Sequence, residues 1–105
     1  MKGNKVDDLV MGFVKRVKRK LPDAKVILFG SRARENALKT SDYDFIVVSE
    51  SFKNVPFFER PLMLYELWDG GAIDLLCYTP DEFEKKKRRI GIVSEAVREG
   101  VEILG

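Results

Sequence analysis

The 105 residues contain no histidine and a single cysteine, Cys77. The first absence removes Cys–His and Ser–His nucleophilic mechanisms within this polypeptide, and the second removes an internal disulfide. Cys77 falls in the apolar run Ile73–Tyr78, which suits a small buried hydrophobe better than a nucleophile. The sequence has no apolar run of about 18 residues, no signal-peptide core and no acylation motif. Nothing in it therefore points to a membrane, and cytoplasm is the expected location. Nor is one charge in excess: 19 Lys and Arg against 17 Asp and Glu leave a formal +2, which demands neither nucleic acid nor anionic lipid.

What is present fits one small domain, residues 1–105, whose 45% apolar content can close a single core. Val6, Leu9, Val10, Phe13, Val14, Val17 and Leu21 recur at helical steps and predict an amphipathic helix ending before Pro22. Its basic face (Lys15, Arg16, Lys18, Arg19, Lys20) reads as a solvated surface in preference to a phosphate contact. Residues 24–29 form a short apolar strand, Gly30-Ser31 a tight turn, and residues 32–37 the start of a short helix. Residues 45–48 make a second strand with Asp42 and Asp44 at its entrance, and 52–58 a loop. Pro61 suits a first helical turn, with Leu62, Leu64, Tyr65, Leu67 and Trp68 as an apolar face ended by Gly70-Gly71. Ile73–Tyr78 is a third strand. Thr79, Pro80 and Glu82 then carry a capping-box signal for a helix running through 85–89. Ile92, Val93, Ala96 and Val97 give a last amphipathic stretch, which Gly100 ends before an apolar tail. This order predicts an α/β or α+β fold, a small mixed sheet with helices packed on it, with strand directions left open.

Asp42 and Asp44, two residues apart in a strand, put both carboxylates on one face and Tyr43 on the other. Like charges so spaced favour a cation between them, and oxygen ligands suit Mg²⁺. Asp74 interrupts an apolar strand, where a buried, unpartnered carboxylate is costly, so it must face a cleft, a cation or a metal. If its strand neighbours that of Asp44, three carboxylates converge and one or two metal ions could be held at a phosphorus centre. Gly30-Ser31, at a strand-to-helix turn, can offer backbone N–H groups and a hydroxyl to phosphates, and Arg32 and Arg34 can neutralise their charge. Taken singly, each piece has a bland reading as a turn, a cap or a surface ion pair. Gly-Ser, ten residues, then Asp-x-Asp is a much rarer combination.

FGSRARENALKTSDYDFIVV, from Phe29 to Val48, resembles the signature of the minimal nucleotidyltransferases of the DNA polymerase β-like superfamily. AIDLLCY is similar to that family's strand carrying its last acidic residue, and REGVEILG to its closing segment. The resemblance implies that Gly30 and Ser31, aided by Arg32 and Arg34, bind nucleotide phosphates. It also implies that Asp42 and Asp44 hold Mg²⁺ and that Asp74, assigned by context, completes the catalytic carboxylates. ATP is the implied substrate. Glu35 departs from the family, where many relatives have glycine, and this puts full phosphate affinity in question. Larger members add helical domains for the acceptor, for which this chain has no length, so another subunit or another protein is expected to present it. Small members resembling this chain are commonly antitoxins of HEPN/MNT pairs, and some transfer AMP to a tyrosine of the helical HEPN toxin.

Two other readings compete with enzymatic transfer. The fold could neutralise its partner by contact alone, with a weak or vestigial site. The run Lys85-Lys86-Lys87-Arg88-Arg89 could bind nucleic acid, which is disfavoured because no aromatic residues interleave with the charges.

Overall fold

The computed structural model describes residues 8–29, 43–89 and 91–103. The Gly30-Ser31 turn, the helix expected over 32–37 and Asp42 lie outside them. Helix α1 (Asp8–Lys20) is followed by strands β1 (Lys25–Phe29), β2 (Tyr43–Val48) and β3 (Ile73–Tyr78), helices α2 (Pro80–Lys87) and α3 (Ile92–Glu99), and strand β4 (Val101–Ile103). The strands form one mixed sheet in the order β3-β2-β1-β4. β1 is antiparallel to both β2 and β4, and β2 is parallel to β3. The domain is thus α+β, and the apolar tail after Gly100 is its fourth strand.

Strand alternation divides the core in two. On one face Val26, Leu28, Phe45, Val47, Leu75, Cys77 and Ile103 pack with Val10, Phe13, Val14 and Val17 of α1. On the other, Ile27, Phe29, Ile46, Val48 and Tyr78 pack with Phe83 of α2 and Val93 of α3. Each such burial is worth about 1.5–3 kcal/mol, so the helical stripe in the sequence was sufficient to choose the face α1 buries. The capping box forms as expected: Thr79 Oγ1 accepts from the Glu82 N–H, and the Glu82 carboxylate accepts from the Thr79 N–H. α2 stops at Lys87, before the end of the basic run. Its lysines occupy the last turn, where cations favour the negative end of the helix dipole.

The crossover from β2 to β3 departs from expectation. Instead of a loop and an α-helix opening at Pro61, it forms 3₁₀ turns at Glu50–Phe52, Phe57–Met63 and Tyr65–Leu67, with Pro61 inside the second. The segment is held to α1 through its carbonyls. Lys20 Nζ donates to Met63 O (2.7 Å) and Arg16 Nε to Leu67 O (2.8 Å), capturing acceptors from the segment. The basic face of α1 is therefore only partly solvated, since Arg16 and Lys20 tie down the crossover. Phe52 and Leu64 enter the core beside α1, while the Phe57 ring lies 5.5 Å from that of Tyr78 on the opposite face. The segment wraps round the edge of β3.

Candidate active site

Register brings the carboxylates together. Asp44 pairs with Phe29 across the antiparallel β1/β2 ladder and with Asp74 across the parallel β2/β3 ladder. Phe29, Asp44 and Asp74 thus form a row across three strands, spaced about 4.8 Å from strand to strand. All three belong to the sheet face that α2 and α3 cover further along, since Asp44 alternates with Ile46 and Val48, and Asp74 with Leu76 and Tyr78. Asp44 is half-buried and Asp74 exposed. A carboxylate in that apolar strand thus avoids the cost of burial by standing in solvent.

Behind this row, the other face of the sheet is braced by aromatic rings. Tyr43 and Trp68 meet edge to face at 4.9 Å, Trp68 contacts Phe13 at 5.3 Å and Phe45 at 5.7 Å, and Tyr43 stacks on Phe45 at 6.3 Å. Trp68 Nε1–H donates to Gly71 O (3.0 Å), and the Tyr43 N–H to Ala72 O (3.3 Å). These bonds tie the start of β2 to the turn that leads into β3 and so hold Asp44 level with Asp74.

At the far end of β3, Arg60 is buried, with its guanidinium donating to Val55 O (2.8 Å), Cys77 O (3.1 Å) and both oxygens of Glu82 (2.6 and 3.2 Å). The Arg60 hydrogen bonds hold the Glu82 carboxyl below the usual glutamate range against the opposing effect of burial, and the Thr79 N–H helps. Sequence reading found Glu82 as a cap but missed Arg60. The available signal was an arginine, beside Glu59, inside the otherwise apolar stretch 55–65. Cys77 is buried, and desolvation pushes its thiol up to about 12, with the Arg60 charge pulling weakly the other way. This agrees with an inert core residue.

Of the site residues expected from sequence, Asp44 and Asp74 are brought side by side. Gly30, Ser31, Arg32, Arg34 and Asp42, together with Glu35, lie outside the described residues. Among the described residues no group of three acidic, His or Cys side chains gathers as a metal cage. The adjacent pair nevertheless has the donor chemistry for a hard cation, which is commonly held by one or two carboxylates together with substrate phosphates.

The described residues thus give an α+β domain with aspartates paired on two neighbouring strands. The family described as "Nucleotidyltransferase domain" matches residues 10–103, and the chain belongs to it. Its class of chemistry is the transfer of nucleotidyl groups. In structure it is similar to a provisionally assigned nucleotidyltransferase from Sulfolobus solfataricus, with 27% identity and a TM-score of 0.63 over 90% of this chain and 75% of that one. No curated protein matches the sequence. Among the described residues no helix is long and apolar enough to cross a membrane.

Proposed function

We propose that the chain is a Mg²⁺-dependent nucleotidyltransferase that moves AMP from ATP to a hydroxyl on a partner protein, acting as antitoxin to a helical HEPN-type toxin. The observation that carries the chemistry is the Asp44–Asp74 pairing on one sheet face. Adjacent carboxylates supply the hard oxygen donors that suit Mg²⁺ held together with substrate phosphates. Asp42 and Asp44 would hold the metal, which would polarise the α-phosphate when bound. Gly30 and Ser31, with Arg32 and Arg34, carry the phosphates that leave. Asp74 accepts the hydroxyl proton as the oxygen bonds to the α-phosphorus. The bond from that phosphorus to the bridging oxygen breaks, and pyrophosphate departs with the electron pair.

The test is transfer of label from α-labelled ATP in the presence of Mg²⁺ and the candidate partner, comparing wild type with Asp44→Asn and Asp74→Asn. Label on the partner with wild type alone is the expected result. A partner bound and silenced equally by all three forms, with no label, would favour neutralisation by contact. That second reading has its own support in Phe58, Leu62 and Tyr65, large apolar side chains left 88%, 64% and 45% exposed along the crossover.

A further inference from the structure

Strand order determines the direction from which an acceptor can arrive. In an in-line displacement at phosphorus, the attacking hydroxyl and the leaving pyrophosphate lie on opposite sides of the α-phosphate. β1 lies on one side of Asp44 and β3 on the other. Gly30 and Ser31, the residues proposed for the leaving phosphates, follow Phe29 of β1 directly in the chain. The hydroxyl then comes from the β3 side, where Asp74 is exposed and, among the described residues, the sheet has no further strand.

Along the same face from Asp74 lies a groove of about 410 Å³ lined by Phe57, Leu76, Tyr78, Glu82 and Lys86. Leu76 and Tyr78 follow Asp74 at two-residue steps, so its floor extends from about 7 to about 13 Å beyond Asp74 at the rise of a strand. The rings of Phe58, Phe57 and Tyr78 touch in sequence, each pair 5.5 Å apart, and extend the apolar surface outward. Glu82 is engaged by Arg60, and Lys86 makes no ion pair among the described residues. A nucleic-acid acceptor would carry a phosphate at every nucleotide along this path and would need a row of cations. The described lining of the groove instead offers an apolar floor, with Glu82 and Lys86 as its charged groups.

We propose that this groove is the acceptor-recognition subsite, receiving an apolar side chain of a protein acceptor two to four residues from the modified hydroxyl in an extended segment. The proposal rests on the reading of the chain as a transferase acting on a hydroxyl. At about 3.3 Å per residue, two to four residues span the interval from Asp74 to the two ends of the groove floor. Phe57, Leu76 and Tyr78 would determine which segments are modified, while Asp44 and Asp74 serve any hydroxyl that reaches them.

The experiment uses three acceptors with α-labelled ATP and Mg²⁺: a single-tyrosine peptide with leucine two and four residues from the tyrosine, the same peptide with serine there, and an oligoadenylate with a free 3′ hydroxyl. Wild type is compared with the double variant Phe57→Ser/Phe58→Ser and with Phe57→Trp, which narrows the groove and retains an aromatic ring beside Tyr78. ATP affinity is followed by equilibrium dialysis of labelled ATP. The expected result is at least a tenfold preference of wild type for the leucine peptide, expressed in KM. Both variants should lose most of that preference with ATP affinity unchanged. Equal labelling of the two peptides, or a preference that survives in the folded variants, overturns the groove proposal and leaves the transferase reading intact. Preferential labelling of the oligoadenylate overturns it in favour of a nucleic-acid acceptor, and weakened ATP binding in the variants overturns it in favour of a base subsite. No label on any of the three acceptors, with the candidate partner labelled in parallel, overturns the groove proposal and leaves the transferase reading intact, whereas no label on the partner either refutes both.

Discussion

Replacing Arg60 by alanine tests whether the segment wrapped round β3 is held chiefly by polar bonds. The arginine is 6% exposed and donates to two carbonyls and to Glu82, so alanine strips donors from Val55 O, Cys77 O and a carboxylate at once. Each carbonyl bond contributes about 1 kcal/mol net. The ion pair contributes about 1 kcal/mol more. It falls short of the about 3–5 kcal/mol for breaking a fully buried pair, because the Glu82 side chain is 43% exposed and water screens it. The sum is about 3 kcal/mol. An unfolding entropy of about 2.1 cal/mol/K per residue, summed over the chain, converts this to a fall in Tm of about 14 °C. Arg60→Lys should recover less than half, since one ammonium cannot serve acceptors that lie around a planar fork. Acid supplies a second readout. Glu82 is held below its usual range in the fold, so its contribution is complete above the unfolded value of about 4.3 and is lost as pH falls through the lower folded value. The Tm gap between wild type and Arg60→Ala, measured by circular dichroism, should therefore be largest near neutrality and shrink below about pH 4. A gap under about 4 °C at pH 7, about what 1 kcal/mol gives, or one that widens on acidification, would refute the reasoning.

Other outcomes follow from the same contacts. Excess MgCl₂ should raise the Tm of wild type but not that of Asp44→Asn/Asp74→Asn. A wild-type Tm indifferent to Mg²⁺ counts against a metal at this pair. Cys77, with its thiol pushed up to about 12, should resist a disulfide reagent at mildly alkaline pH until urea unfolds the chain; stoichiometric reaction of the native protein would contradict its burial. Gly70→Ala brings a Cβ to 2.5 Å from Trp68 Cζ2 and 3.0 Å from Leu9 Cδ2, against an indole already bonded to Gly71 O. Overpacking of that kind costs about 1–3 kcal/mol. It should also shift the emission of the sole tryptophan, whereas unchanged emission and Tm would show that the aromatic brace is slack.

Much of the fold was legible because its signals are short-ranged. The stripe of Val10, Phe13, Val14 and Val17 specified the buried face of α1, and Thr79, Pro80 and Glu82 specified where α2 begins. Strand Ile73–Tyr78 was read with its bounds, because Gly70-Gly71 and Pro80 punctuate it on either side. The crossover was misread because its apolar residues suggested a helical face. In the fold Leu64 is fully buried while Leu62 and Tyr65 are exposed, and the segment's carbonyls are taken by Arg16 and Lys20 from a helix more than 40 residues away in the chain. Arg60 escaped notice for the same reason, since two of its partners, Cys77 O and Glu82, lie across the fold.

By itself the sequence determined the order of the first helix, the three long strands and the two helices after them, the identity of the candidate carboxylates and, from the alternation in β2 and β3, which face Asp44 and Asp74 occupy within their own strands. Strand periodicity is a property of the local backbone and needs no partner. The tertiary structure decided that β3 lies parallel to β2 in the register that sets Asp74 beside Asp44, thirty residues earlier in the chain. That register is set by the simultaneous burial of Phe45, Val47, Leu75 and Cys77 against α1 and of Ile46, Val48 and Tyr78 against Phe83 and Val93. A slip of one residue would turn every one of these side chains to the wrong face. The position of the two carboxylates is thus a consequence of packing the two cores, which no local segment encodes alone.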